Sequence, residues 1–286
     1  MGSLLVPIDA SVQSMQAVRF ALALSGGDYS LTLLHVIPPF PSRQAVTHLG
    51  KKTVEEFQLE EAKESLKEVL ELVQQEKVPF NLQYEFGEPH EVISNYARQG
   101  HQAVVMGTHG YGRMTGYLFN SVSYPTLHDV TIPVFLVPEE ADIRATWRKL
   151  VVAVDGSEHS KRAAVRAMQF GKEKDARYLL LTVITPPAMY AGVTNIGWVD
   201  LDGLETLGEE ILRPYETMFM EQQLPYDTKV VVGDPATVIK EVALKEEADV
   251  IVLGHHGLNG IVETLMGSVT YKVIHRTQTP LLIVRE

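Results

Sequence analysis

The feature that most limits what this chain can fold into is that it contains itself twice. SLLVPIDASVQSMQAVRFAL, Ser3 to Leu22, is matched by KLVVAVDGSEHSKRAAVRAM, Lys149 to Met168, with Asp9 and Asp155 standing 146 positions apart (155 − 9). LTLLHVIPP (Leu31 to Pro39) answers LLLTVITPP (Leu179 to Pro187), and YEFGEPHEVI (Tyr84 to Ile93) answers VVVGDPATVI (Val230 to Ile239). AVVMGTHG (Ala103 to Gly110) answers VIVLGHHG (Val250 to Gly257), with Gly107 and Gly254 147 apart (254 − 107). Segments matching in one order at a nearly constant offset mean two like domains in tandem.

The join falls in PEEADIRATWRK, Pro138 to Lys149, which is polar and lacks apolar periodicity before the strand beginning at Leu150. The expected domains are residues 1–139 and 148–286, each of a common domain size. In the first copy, short β-branched apolar runs predict strands at Leu4 to Ile8, Leu31 to Val36, Leu82 to Phe86, Ala103 to Met106 and Val134 to Val137. Runs apolar on both faces suit buried parallel strands. Between them, Ala17 to Leu24, Thr53 to Glu76 and Glu88 to Arg98 read as helices, and Leu66, Val69, Leu70 and Val73 form a buried stripe. In the second copy Pro214 interrupts the equivalent long helix and is expected to kink or split it. Alternating strand and helix makes the fold class α/β, a doubly wound parallel sheet in each half.

Composition narrows the chemistry. There is no cysteine, so disulfides, thiolate catalysis and thiolate metal sites are excluded. The net charge of −11 argues against a general nucleic-acid or anionic-membrane surface, because both partners are held by Lys and Arg. The N-terminal MGSLLVPIDAS lacks the basic start and apolar stretch of a signal peptide, and 18 apolar residues never run together, so no membrane insertion and a cytoplasmic location are expected.

Ligands in doubly wound sheets sit at the carboxyl ends of the strands, where strand order reverses. The candidates fall there: Asp155 after strand one, Val183 ending strand two, and Gly254 opening the loop after strand four. That loop, GHHGLNGIVETLMGSVT, carries glycine at 254, 257, 260 and 267, with Ser268 read as the N-cap of the helix running toward His275. Glycines that let the backbone come close, followed by a helix N-terminus, suit an anion, and a carboxylate across the cleft can accept from an amine or ribose hydroxyl. Together they describe a nucleotide pocket. The alternative for Asp9 and Asp155 is a cap on the turn into the first helix; for His109 and His256, equivalent in the two copies, it is a loop hydrogen bond. His255 and His256 are adjacent and cannot both face one metal from a regular strand, so loop residues beside a phosphate is the preferred reading and no metal ligand is assigned. SGGDYS (Ser25 to Ser30) follows a helix and reads as a turn, GYGRMTG lacks dinucleotide-loop spacing, and GxxxxGK[ST] is absent.

With these motifs the chain resembles a tandem member of the universal stress protein family over essentially its whole length. That family's ATP pattern is glycine, two residues, glycine, nine residues, then glycine with serine or threonine, and Gly254, Gly257, Gly267 and Ser268 satisfy it. The resemblance implies a Rossmann-like, adenine nucleotide α-hydrolase-like fold. It implies that Asp155 and Val183 meet adenine or ribose, and that the glycines, Ser268 and Val269 meet ribose and phosphates. In the first copy it implies the same roles for Asp9, Val36, Gly107, Gly110 and Ser121, but Asn120 stands where the third glycine belongs and brings a side chain toward the phosphate position. Arg113 offers that copy a phosphate contact. It further implies pairing of the two halves through the last strands, VFLV and LLIV, as an intrachain pseudo-dimer, with association of two chains into a homodimer left open.

Rapid phosphoryl transfer needs cations where negative charge develops and a group to position water. Gly254 to Ser268 holds no Lys or Arg and only Glu263 as an acid. The expectation is an ATP-binding stress-response regulator with little or no hydrolysis, with no catalytic residue assigned and Mg²⁺ as the ion that would neutralise the phosphates. A slow ATPase or nucleotidyl-transfer enzyme, or an adaptor with vestigial pockets, are the competing readings.

Overall fold

The structure, a computed structural model, describes residues 2–108, 122–145, 147–172, 174–186, 201–257 and 266–285, with backbone alone at 43–45 and 201. The chain divides into two compact units, Met1–Glu139 and Glu140–Glu286.

Unit one contains strands β1 (Gly2–Pro7), β2 (Tyr29–Ile37), β3 (Phe80–Phe86), β4 (Ala103–Thr108) and β5 (Val134–Pro138). They lie in the order β3-β2-β1-β4-β5 with parallel pairing throughout. Unit two repeats the order as β8-β7-β6-β9-β10, with β6 (Lys149–Ala153), β7 (Arg177–Ile184), β8 (Tyr226–Val232), β9 (Val250–Gly254) and β10 (Leu281–Val284), again parallel. The chain runs outward from the first strand of each unit and then crosses back, so the switch points are β1/β4 and β6/β9. β4, β5, β9 and β10 are buried along almost every residue, as helix-covered parallel strands must be.

The helices of unit one are α1 (Val12–Ser25), α2 (Arg43–Leu49), α3 (Lys51–Ser65), α4 (Lys67–Gln75), α5 (Pro89–Ala97) and α6 (Ser123–Asp129). Those of unit two are α7 (Glu158–Lys172), α8 (Leu201–Glu221), α9 (Pro235–Lys245) and α10 (Ser268–Ile274). α1 begins where Ser11 accepts from the Ser14 amide and ends at Gly26, whose left-handed backbone (φ 44°) sends its N–H to the Leu22 carbonyl. α5 and α9 each start on a proline, Pro89 and Pro235, a residue suited to the first turn because the amide it lacks has no helical partner there.

Two helix expectations are corrected. The run Thr53 to Glu76 is not one helix: it breaks at Leu66 (φ −94°, ψ 2°), which is fully buried while Val69 and Val73 carry the apolar stripe onward. Conversely, Pro214 does not split α8, which runs 21 residues without a break. A proline costs about 3 kcal/mol in a helix interior. Here Leu212, Tyr215 and Phe219 bury one face, and Gly208 lies so close to β8 that a β-carbon would stand 2.3 Å from Val230 Cγ1. Tertiary packing outweighs the local preference.

Strand pairing also corrects the residue-level match of the second strands. Val6 pairs with Leu33 and Val152 with Leu180, so the two strands correspond at an offset of 147 (180 − 33), one less than aligning their proline pairs suggests. Val36 and Val183 are thereby true equivalents. His35 and Thr182 occupy the preceding position, and each bonds the backbone carbonyl that follows the first strand, His35 Nδ1 to Ile8 (2.8 Å) and Thr182 Oγ1 to Val154 (2.9 Å).

Candidate functional site

The two aspartates build the same turn. Asp9 Oδ1 accepts from the Ser11 amide at 2.9 Å and Asp155 Oδ1 from the Ser157 amide at 3.0 Å. Ser14 Oγ and Ser160 Oγ accept from the Asp9 and Asp155 amides at 2.9 and 3.4 Å, while the Ser14 and Ser160 amides donate to Ser11 Oγ and Ser157 Oγ at 3.1 Å. One carboxylate oxygen thus caps the entry to α1 or α7, and the turn-capping role is real. In unit two Oδ2 lies 2.6 Å from the position a β-carbon on Gly257 would take.

The three motif glycines do different work. A β-carbon on Gly254 would lie 2.9 Å from the His159 carbonyl carbon, and one on Gly107 2.3 Å from the Gln13 carbonyl oxygen. The first glycine of each copy is therefore required by the approach of strand to helix, whatever the ligand. Gly257 is required by Asp155. A β-carbon on Gly267 would lie 3.3 Å from the His255 carbonyl oxygen and from His256 Cα, and the Gly267 amide bonds the His255 carbonyl at 2.9 Å. The loop thus closes on its own start. Thr270 Oγ1 ties α10 to the Gly254 carbonyl at 2.9 Å, as Ser123 Oγ ties α6 to the Gly107 carbonyl at 3.4 Å.

Gly267, not Ser268, is the N-cap of α10; Ser268 is its first helical residue and exposed. Gly267 wins because its carbonyl already accepts the first-turn bond from the Tyr271 amide (2.9 Å) while its own amide is held by the loop. Ser268 and Val269 then present first-turn amides, which have no partner within a helix.

His255 and His256 are buried, 2% and 7% exposed, and their Nδ1 atoms face each other at 2.9 Å, one donating and one accepting. The ring of His159, on the first turn of α7, lies 5.2 Å from that of His256. Sequence reading missed His159; the signal was its position, four residues past Asp155, just as Gln13 stands four past Asp9. It also missed Tyr215, whose hydroxyl bonds Ser160 Oγ at 2.6 Å and whose ionisation is pushed up by burial. Among the described residues no group of three or more His, Asp or Glu is placed to hold a metal ion.

In unit one, Asp9, Val36 and Gly107 come together around a cleft of about 210 Å³, joined by Gln13, Ile93 and Ser123. In unit two, Asp155, Gly254, Gly257 and Gly267 come together; Val183 ends β7 half-buried, at the register position of Val36. Gly110, Asn120, Ser121, His109 and Arg113 lie outside the described residues. Among the described residues no helix is long and apolar enough to cross a membrane.

Comparison with known proteins gives the family. The model of the universal stress protein family matches residues 1–138 and 146–285. A universal stress protein of Methanocaldococcus jannaschii is 34% identical over 143 residues, covering 49% of this chain and 83% of its own. One of Mycolicibacterium smegmatis is 26% identical over 303 residues, covering 99% of this chain and 96% of its own. The crystal structure of a universal stress protein from Archaeoglobus fulgidus superposes with a TM-score of 0.76 at 20% identity, covering 99% of this chain and 98% of that one, a likeness of fold. Two matches of one family model, one on each unit, make this chain a tandem member of the universal stress protein family.

Proposed function

We propose that unit two binds ATP and that the protein acts in the cytoplasm as a nucleotide-dependent stress-response regulator, with little or no hydrolysis. The observation that carries this reading is the placement of the Asp155 carboxylate against Gly257, with Gly267 folded back on His255 to Gly257. A carboxylate acceptor for an amine or hydroxyl then stands beside a glycine-lined backbone. The first-turn amides of Ser268 and Val269 supply donors for phosphate oxygens. Val183 offers an apolar edge for the base. The loop sequence, Gly254 to Ser268, contains no Lys or Arg, the cations that would stabilise a departing phosphate.

The test is nucleotide identification in the purified protein, by heat release and chromatography, followed by titration with ATP and a hydrolysis time course. Adenine nucleotide bound with about one ATP per unit two and no sustained turnover is the expected result. Absence of nucleotide together with no binding at millimolar ATP would sink the assignment, and sustained multiple turnover would replace the regulator with a slow ATPase.

A further inference from the structure

The serine two places after each aspartate sends its hydroxyl to a different partner in the two units. In unit one Ser11 donates both its amide and its hydroxyl to Asp9 Oδ1. In unit two Ser157 donates its amide to Asp155 Oδ1, but its hydroxyl goes to Ser160 Oγ at 3.3 Å. A hydroxyl has one proton, so the proton Ser157 gives to Ser160 is not on the carboxylate. Ser160 gives its own proton to the Ser157 carbonyl (2.9 Å), which makes its Oγ an acceptor for its other neighbours. One of these is Tyr215 of α8, whose hydroxyl lies 2.6 Å away. Tyr215 is fully buried and burial pushes its ionisation up, so it holds its proton at neutral pH and donates it. The Asp155 amide reaches Ser160 Oγ only at 3.4 Å, whereas the Asp9 amide reaches Ser14 Oγ at 2.9 Å. Tyr215 thus fixes Ser160 Oγ away from the Asp155 amide and within reach of the Ser157 hydroxyl.

We propose that Tyr215 is a positioning residue of the unit-two site: by fixing Ser160 it keeps the Ser157 hydroxyl off the Asp155 carboxylate, which then meets the ligand as a stronger acceptor. Resting on the ATP reading of unit two, this role is exerted through two serines and needs no contact between Tyr215 and the nucleotide.

ATP titration calorimetry and thermal denaturation of the full chain test it, on wild type, Tyr215→Phe and the double variant Tyr215→Phe/Ser157→Ala, together with a crystal structure of Tyr215→Phe. Tyr215→Phe is expected to turn the Ser157 hydroxyl onto Asp155, as Ser11 stands on Asp9, and to weaken ATP binding about fivefold. Removing that hydroxyl in the double variant should return the affinity while lowering Tm further, because the Ser160 amide loses the Ser157 oxygen that caps it at 3.1 Å. A residue serving the fold alone would move affinity and Tm in the same direction. Wild-type affinity in Tyr215→Phe overturns the proposal, as does a folded double variant that binds no tighter than the single one. Ser157 still on Ser160 in the Tyr215→Phe crystal overturns it too, and assigns the direction of the hydroxyl to the left-handed Gly156 (φ 84°), which stands where unit one has Ala10. That crystal structure and the affinity of the single variant decide if the double variant does not fold. If wild type binds no ATP, the reading of unit two fails, and the same crystal structure still shows whether Tyr215 directs the Ser157 hydroxyl.

Discussion

The Oδ2 atom of Asp155 lies 2.6 Å from the point where a β-carbon on Gly257 would sit, although the two residues are 102 positions apart (257 − 155). The carboxylate and the glycine loop meet at the β6/β9 switch point, because both elements end at the same edge of the sheet. Asp155 Oδ1 fixes the helix-entry turn, which leaves Oδ2 held in one direction.

Gly257→Ala therefore pushes a methyl group into the Asp155 carboxylate. It is expected to weaken ATP binding about tenfold or more while costing stability about 1–2 kcal/mol, since the obstructed atom is the end of a side chain. Titration calorimetry and urea denaturation on the same preparation separate the two effects. A variant with full affinity would show that Asp155 takes no part in binding.

Gly254→Ala and Gly107→Ala should instead act on the fold, because the atoms they meet are backbone of α7 and α1. Both are expected to lower stability by about 1–3 kcal/mol. Gly107→Ala should be the worse, since its closest atom stands at 2.3 Å against 2.9 Å for Gly254. Urea midpoints give the order directly.

Tyr215→Phe removes the buried 2.6 Å bond to Ser160, leaving the ring in place. A loss of about 1 kcal/mol is expected, seen as a lower Tm. Unit one should be unaffected, as Ser14 Oγ bonds the Asp9 amide and, among the described residues, no tyrosine.

Glu246 accepts from Lys149 (2.7 Å) and Lys229 (3.2 Å), and these bonds hold its carboxyl below its ordinary value of 4.5. A carboxyl depressed in the folded state stabilises the protein above its unfolded value and loses that contribution as pH falls through the folded value. Tm measured from neutral pH downward should therefore drop below about pH 4.5, and Glu246→Gln should flatten that limb while costing about 0.5 kcal/mol near neutrality. An acid limb identical in the variant would place the loss elsewhere.

Asp249, 6% exposed, anchors the segment joining the units. It accepts from the amides of Arg148 (2.6 Å) and Lys149 (2.9 Å) and from Arg144 Nη1 (3.3 Å). Asp249→Ala leaves those amides without their acceptor, and a cost of about 2–3 kcal/mol is expected by urea denaturation. The polar composition of the join signalled a linker; only the fold shows that Arg144, Arg148 and Lys149 are tied down.

The repeat at offsets of 146 and 147 made the two units, their parallel sheets and the place of the candidate residues at the carboxyl ends of the strands legible in the sequence, because periodicity and strand length are written locally. The motif glycines were legible as a set, yet their separate duties were not. Gly254 faces helix backbone, Gly257 a carboxylate and Gly267 its own loop, and these neighbours come from distant parts of the chain. For the same reason the split expected at Pro214 does not occur and the break at Leu66 went unseen, since both depend on burial within the unit. Sequence by itself determined which elements form and which residues stand at their ends. What each of those residues touches, and hence whether it serves the fold or a ligand, was decided only when the sheet brought the ends together.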